Sequence, residues 1–158
     1  PHAAGEGVGA QGPGPESPAD DFRALQIAPE RPARMKDLLL IGLGSCLGGM
    51  ARHLVGLGVR HLGVASLWGT LAVNLIGCLL IGLLAGLFAR HPNVSLAAQR
   101  FLTIGVCGGF TTFSTFSRDG LTLWQEGRLP AFVLYVAGSV VAGLVAVAAG
   151  YRLAGGHA

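Results

Sequence analysis

Four long apolar runs, parted by short polar links, constrain this chain more than any other feature. They cover about residues 38–59, 67–88, 97–117 and 129–150. Each approaches the roughly 20 residues that an α-helix needs to cross the hydrocarbon core of a bilayer. The links, residues 60–66, 89–96 and 118–128, are short enough to make successive helices antiparallel neighbours. Pro92 and Pro130 stand where helices should end or begin. Only 12% of the 158 residues are charged, against about 25% in ordinary soluble domains. These patterns predict an all-α integral membrane protein with four transmembrane helices, and they exclude a coiled coil or a typical cytosolic enzyme.

The first 34 residues differ in kind. They are rich in Gly, Pro and acids and poor in large apolar side chains, so they cannot bury enough surface to offset their ordering entropy. The expectation is a disordered extension over 1–34 and a four-helix transmembrane domain over 35–158. Met35 directly precedes the first run, which makes it a candidate natural start. The net charge of +3 hides a split, −2 over residues 1–34 and +5 beyond. That excess fits loops facing lipid head groups rather than nucleic acid. With the N-terminus inside and the chain starting at Met35, inner flanks hold Lys36, Arg90, Arg100 and Arg152, and outer flanks hold Arg60, Arg118 and Arg128. Arg52 makes the balance even, so the positive-inside rule barely selects an orientation. The sharper consequence is insertion in both orientations as an antiparallel homodimer; the blander one is a weak bias settled elsewhere.

Other classes fit less well. Cys46, Cys78 and Cys107 are odd in number and far apart, and read as small apolar packing residues. Arg31–Lys36 before an apolar run, with Leu43-Gly44-Ser45-Cys46, imitates a cleaved leader, but the run continues to Val59 and three more follow. No phosphate-binding loop, nucleophile elbow or paired carboxylate argues for an enzyme. No predicted span holds Glu, Asp or Lys at mid-membrane, which counts against a proton-coupled exporter.

Polar residues inside lipid are expensive and mark function by default. Thr70 and Asn74 lie one turn apart in the second run, where Asn74 serves as a helix-to-helix bond or as a ligand-facing amide. Residues 108–117 read Gly-Gly-Phe-Thr-Thr-Phe-Ser-Thr-Phe-Ser. The glycine pair predicts a break at Gly108-Gly109, which would free backbone carbonyls at membrane depth. Phe113 and Phe116 share a face, as packing residues or as rings whose positive edges favour an anion. Thr112, Ser114, Thr115 and Ser117 interleave hydroxyl donors. Arg52 is a helix-end anchor or an anion attractor. Arg118 and Asp119 are expected just past the third span and Trp124 in a loop, while Tyr135 and Ser139 continue a polar face in the fourth. Gly44/Gly48, Gly82/Gly86 and Gly105/Gly109 have the spacing of close helix contacts.

Together these residues resemble the Fluc (CrcB) family of fluoride channels. Gly48-Gly49-Met50-Ala51-Arg52 looks like its first-helix pattern, and Gly69-Thr70-Leu71-Ala72-Val73-Asn74-Leu75-Ile76-Gly77 like its second. The run from Gly105 to Ser117 carries the longest and most specific match, and Tyr135 with Ser139 falls where the fourth helix is polar. The resemblance covers about residues 35–151. It implies a dual-topology antiparallel homodimer in a bacterial inner membrane, with two fluoride pores and a structural sodium ion at the dimer centre, and fluoride resistance as its purpose. Phe113 and Phe116 would line the pores with ring edges, and Asn74 would donate to fluoride. Thr112, Ser114, Thr115 and Ser139 would form a polar track, and Arg52 would sit in the vestibule. The carbonyls of Gly108 and Thr111 would hold the sodium. Two departures stand out: Asp119 where the family commonly has Glu, and Gly143 where some members have Ser. The competing readings are a small dual-topology multidrug exporter and a structural membrane subunit.

Overall fold

The computed structural model describes residues 35–156. The extension over 1–34 lies outside the described residues. Helix α1 is Met35–His61, α2 is Ser66–Arg90, and α6 is Leu129–Leu153. These three are long and apolar enough to cross a membrane. The third run folds in pieces. Helix α3 (Leu96–Arg100) passes into a π-helical segment, Phe101–Cys107, which closes through the single turn α4 (Gly108–Phe110). After two extended residues, α5 (Phe113–Gln125) resumes. Among the described residues there are no strands.

Two tight helix pairs build the molecule. Helix α2 packs on α6, and α1 packs on the π-segment and α4. Bilayers provide little hydrophobic drive between helices, so close backbone approach matters. All three sequence-predicted glycine pairs sit at such contacts. A methyl on Gly44 would come within 2.9 Å of the Gly105 Cα, and one on Gly109 within 2.7 Å of the Ser45 Cα. On the other pair, a methyl on Gly86 would meet the Tyr151 carbonyl oxygen at 2.7 Å. Arg100, the last residue of α3, ties that helix to the start of α1 through Asp37, at 2.9 Å.

The break is not at Gly108-Gly109. Gly108 has ordinary helical angles, φ −64° and ψ −37°, and the chain leaves the helix only at Thr111 (φ −77°, ψ 160°) and Thr112 (φ −151°, ψ 111°). Gly109 has another task. A methyl on it would lie 2.7 Å from the Ser45 Cα of α1, and one on Gly48 would lie 2.7 Å from the Phe110 nitrogen, whereas one on Gly108 would meet only the Thr103 carbonyl oxygen at an ordinary 3.8 Å. Gly109 and Gly48 therefore admit a helix crossing, and the interruption falls at Thr111. A second difference concerns the end of the run. Helix α5 continues to Gln125, eight residues past the expected end at Ser117, because Asp119, Gly120 and Leu123 form a buried stripe along it. Arg118 and Asp119 therefore lie within the helix. Trp124 occupies its last turn rather than a loop, with its ring edge-on to Phe132 at 5.4 Å.

Candidate functional site

The interruption is made by a side chain from another helix. Asn74, midway along α2, accepts from the Thr112 N–H through Oδ1 at 2.9 Å. Its Nδ2 donates to the Thr112 carbonyl at 3.1 Å. One planar amide thus pairs with both polar groups of an extended residue, as a neighbouring β-strand would. Thr112 then starts α5: its hydroxyl accepts from the Thr115 N–H at 3.2 Å and donates to the Thr115 Oγ1 at 3.0 Å. Ser114 lies 3.3 Å from the same hydroxyl.

These bonds take donors away from carbonyls at the break. In a continuous helix the Gly108 carbonyl would accept from the Thr112 N–H, and the Thr111 carbonyl from the Thr115 N–H. Both donors are diverted, one to Asn74 and one to the Thr112 hydroxyl. The Thr111 carbonyl accepts instead from Arg52 Nη1 at 3.0 Å. Among the described residues no group of three His, Cys, Asp or Glu comes together. The donors available to a cation at the break are therefore carbonyl and hydroxyl oxygens, the chemistry a hard cation prefers. Among the described residues the Phe113 and Ser114 N–H groups make no backbone bond across the break either, so a single chain offers four released carbonyls, those of Gly108, Gly109, Phe110 and Thr111, the last already shared with a guanidinium. A complete shell requires oxygens from elsewhere.

Two cavities meet at the break. The first, about 460 Å³, is bordered by Asn74, Gly108, Thr111, Phe113, Phe116 and Ser139. The second, about 470 Å³, is bordered by Arg52, His53, Arg60, Thr70, Thr115 and Arg118. Thr112 borders both. The fold thus gathers most sequence-predicted site residues around the first cavity. Arg52 and Thr115 face the second, and Ser114 borders neither. Phe113 is 79% exposed on the flank of the molecule, with its ring 5.7 Å from that of Phe116. Phe116 in turn lies 5.1 Å from the Tyr135 ring, tilted by 38°. The hydroxyls of Tyr135 and Ser139, one turn apart on α6, are buried without a hydrogen-bond partner among the described residues.

Asp119, marked in the sequence as a departure from the family pattern and expected past the third span, has partners that sequence reasoning missed. It is only 7% exposed and accepts from the Thr70 hydroxyl at 2.6 Å and from Arg118 Nη2 at 3.1 Å. It stands at the level of the first turns of α2, so it is not a carboxylate at mid-membrane. Its place on the buried 119–120–123 stripe was the available signal.

An all-helical chain with three membrane-length apolar helices and a fourth span interrupted at depth defines a small integral membrane protein built to handle an ion. The profile described as "CrcB-like protein, Camphor Resistance (CrcB)" matches residues 39–151, and the chain belongs to that family. It is 45% identical over 117 residues to a protein of Nitrobacter winogradskyi named "Fluoride-specific ion channel FluC", covering 73% of this chain and 93% of the relative. A protein of the same name from Phocaeicola vulgatus is 47% identical over 118 residues, covering 73% and 96%. Another from Agrobacterium fabrum is 44% identical over 120 residues, covering 75% and 96%.

Proposed function

We propose that the chain is a fluoride-selective channel that lets fluoride leave the cytoplasm passively, and that it works as an antiparallel homodimer inserted in both orientations in a bacterial inner membrane. The observation that carries this reading is the first cavity, where the interrupted span, two phenylalanine rings and an unspent hydroxyl on Ser139 converge. Fluoride is small and strongly hydrated, so close donors must replace its water. Burying a hydroxyl without a partner costs about 1–3 kcal/mol, and the orphaned Tyr135 and Ser139 hydroxyls are explained if a passing anion takes their protons as hydrogen-bond partners. Ring edges of Phe113 and Phe116 add weak positive potential along the way. Asn74 has spent one amide proton on Thr112, which leaves its second for the ion. Each donor binds modestly, as conduction requires.

Passive flow is sufficient for protection. Hydrogen fluoride crosses membranes neutral and dissociates inside, and the membrane potential then drives the trapped anion out. No protonatable carriage is needed, and Asp119, spent on Thr70 and Arg118, offers none. This counts against an exporter.

The dimer follows from incompleteness. The first cavity opens toward a flank where Phe113 is bare, and α1 and α6 present broad apolar faces. A second, inverted copy would close that flank and bring the missing oxygens to the break. Gly108 and Thr111 of each copy are the groups that would hold sodium there. Bound, sodium would supply fixed positive charge that knits the two interruptions together. The test is fluoride loss from liposomes containing the purified protein, with and without sodium. The expected result is fast fluoride loss, little chloride loss, and loss of activity when sodium is withheld. Equal loss of chloride and fluoride would defeat the selectivity reading.

A further inference from the structure

We infer that the second cavity is a seat for a tetrahedral oxyanion of the sulfate or phosphate class, free or as a lipid head group, whose occupancy obstructs the channel. The inference rests on the fluoride reading for its consequence but on separate residues for its site. Three guanidinium groups, those of Arg52, Arg60 and Arg118, and the imidazole of His53 border this one space of about 470 Å³. At about 30 Å³ of liquid volume per water, it admits a hydrated polyatomic anion with room to spare.

The cations there are only partly spent. Arg52 uses Nη1 on the Thr111 carbonyl, and Arg118 uses Nη2 on Asp119. The Arg60 guanidinium makes no ion pair or hydrogen bond among the described residues. Each guanidinium presents five donors in a planar fork, so most donors remain free. That fork matches two oxygens of one anion, a bidentate grip that a monatomic halide, with one acceptor atom, does not offer. Thr70 and Thr115 border the same space with hydroxyls. Asp119 is the acid in contact with this group, and its two oxygens are taken by Thr70 and Arg118. Beyond the seat stands Thr112, pinned by Asn74 between the two cavities. An oxyanion drawn in by the arginines therefore halts there, on the route fluoride must take.

The experiment measures fluoride efflux from liposomes of phosphatidylcholine, with or without phosphatidylglycerol. Sulfate is raised on both sides at constant ionic strength against gluconate, because screening alone weakens exposed charge interactions. Calorimetric titration of the detergent-solubilised protein with sulfate reads the seat without any flux. The expected result is slowing of fluoride by sulfate, with Arg60→Gln and Arg118→Gln each weakening the sulfate effect about tenfold, the loss of one charge-assisted hydrogen bond. The ratio of rates with and without sulfate is compared, so a change in basal flux does not enter. Slowing in pure phosphatidylcholine supports the free anion as occupant. Slowing that needs phosphatidylglycerol and no sulfate supports the lipid phosphate. Fluoride flux indifferent to both, with no sulfate heat, overturns the seat. Absence of fluoride flux in every vesicle defeats the channel reading instead, and sulfate heat that falls in Arg60→Gln would still uphold the seat.

Discussion

At the scale of single residues, Asn74 does more than its position in an apolar helix announces. Sequence alone left two uses open, gluing helices or facing a ligand. The geometry gives the amide a defined structural task, since both atom types engage the backbone of Thr112. Asn74→Asp should therefore act on structure and transport together. A carboxylate cannot donate to the Thr112 carbonyl, and its negative charge would face that oxygen directly. The expected cost is about 1–3 kcal/mol, that of leaving a buried acceptor unpaired, with fluoride flux abolished. Thermal unfolding of the purified variant, read beside liposome efflux, checks both. Full flux with unchanged stability would contradict the assignment. Thr70, one turn away, was legible as polar but its partner was not, because Asp119 lies 49 positions along the chain.

At the scale of elements, the helices were legible and so was an interruption of the third span, but not its place. Apolar length identified α1, α2 and α6 to within a few residues, since a bilayer demands little else. The glycine pair pointed to a break because glycine weakens helices, yet both residues stay helical and Gly109 serves a crossing. The true gap at Thr111 and Thr112 depends on an amide from α2, and no local pattern contains that information. The π-helical stretch is equally silent. There the Gly108 N–H reaches back five residues to the Thr103 carbonyl, a shift that leaves composition unchanged. Crossing and spare glycines should separate cleanly by mutation. Gly48→Ala places a methyl against the backbone of the third run, 2.7 Å from the Phe110 nitrogen, and should cost about 1–3 kcal/mol as overpacking. Gly42→Ala meets nothing within 4 Å and should stabilise α1 by about 0.5–1 kcal/mol. Thermal denaturation in one detergent compares the two, and equal melting temperatures would refute the crossing role.

For the whole molecule, the distribution of cations bears on how it enters the membrane. Lys36, Arg90, Arg100 and Arg152 belong to one end of the helix bundle, and Arg60, Arg118 and Arg128 to the other. Counted by cations, the ends hold four against three, so neither carries a strong retention signal. If both orientations are required, forcing one should disable the protein. Two lysines added to the link after α2 should hold that end inside, and two added to the link after α1 should hold the other. Each variant alone should fail to protect cells from fluoride, and the two expressed together should restore growth. Protection by either variant alone would exclude the inverted pair.

The Asn74 bridge also limits how this sequence can drift. A side chain that grips only main-chain atoms is indifferent to the side group its partner carries, so the pairing itself excludes only proline, which lacks the N–H, from position 112. The remaining pressure falls on position 74, where a flat group with donor and acceptor side by side, at one fixed reach, is the sole acceptable heir. A joint recorded at one of its two partners leaves no covarying pair of letters by which to trace it.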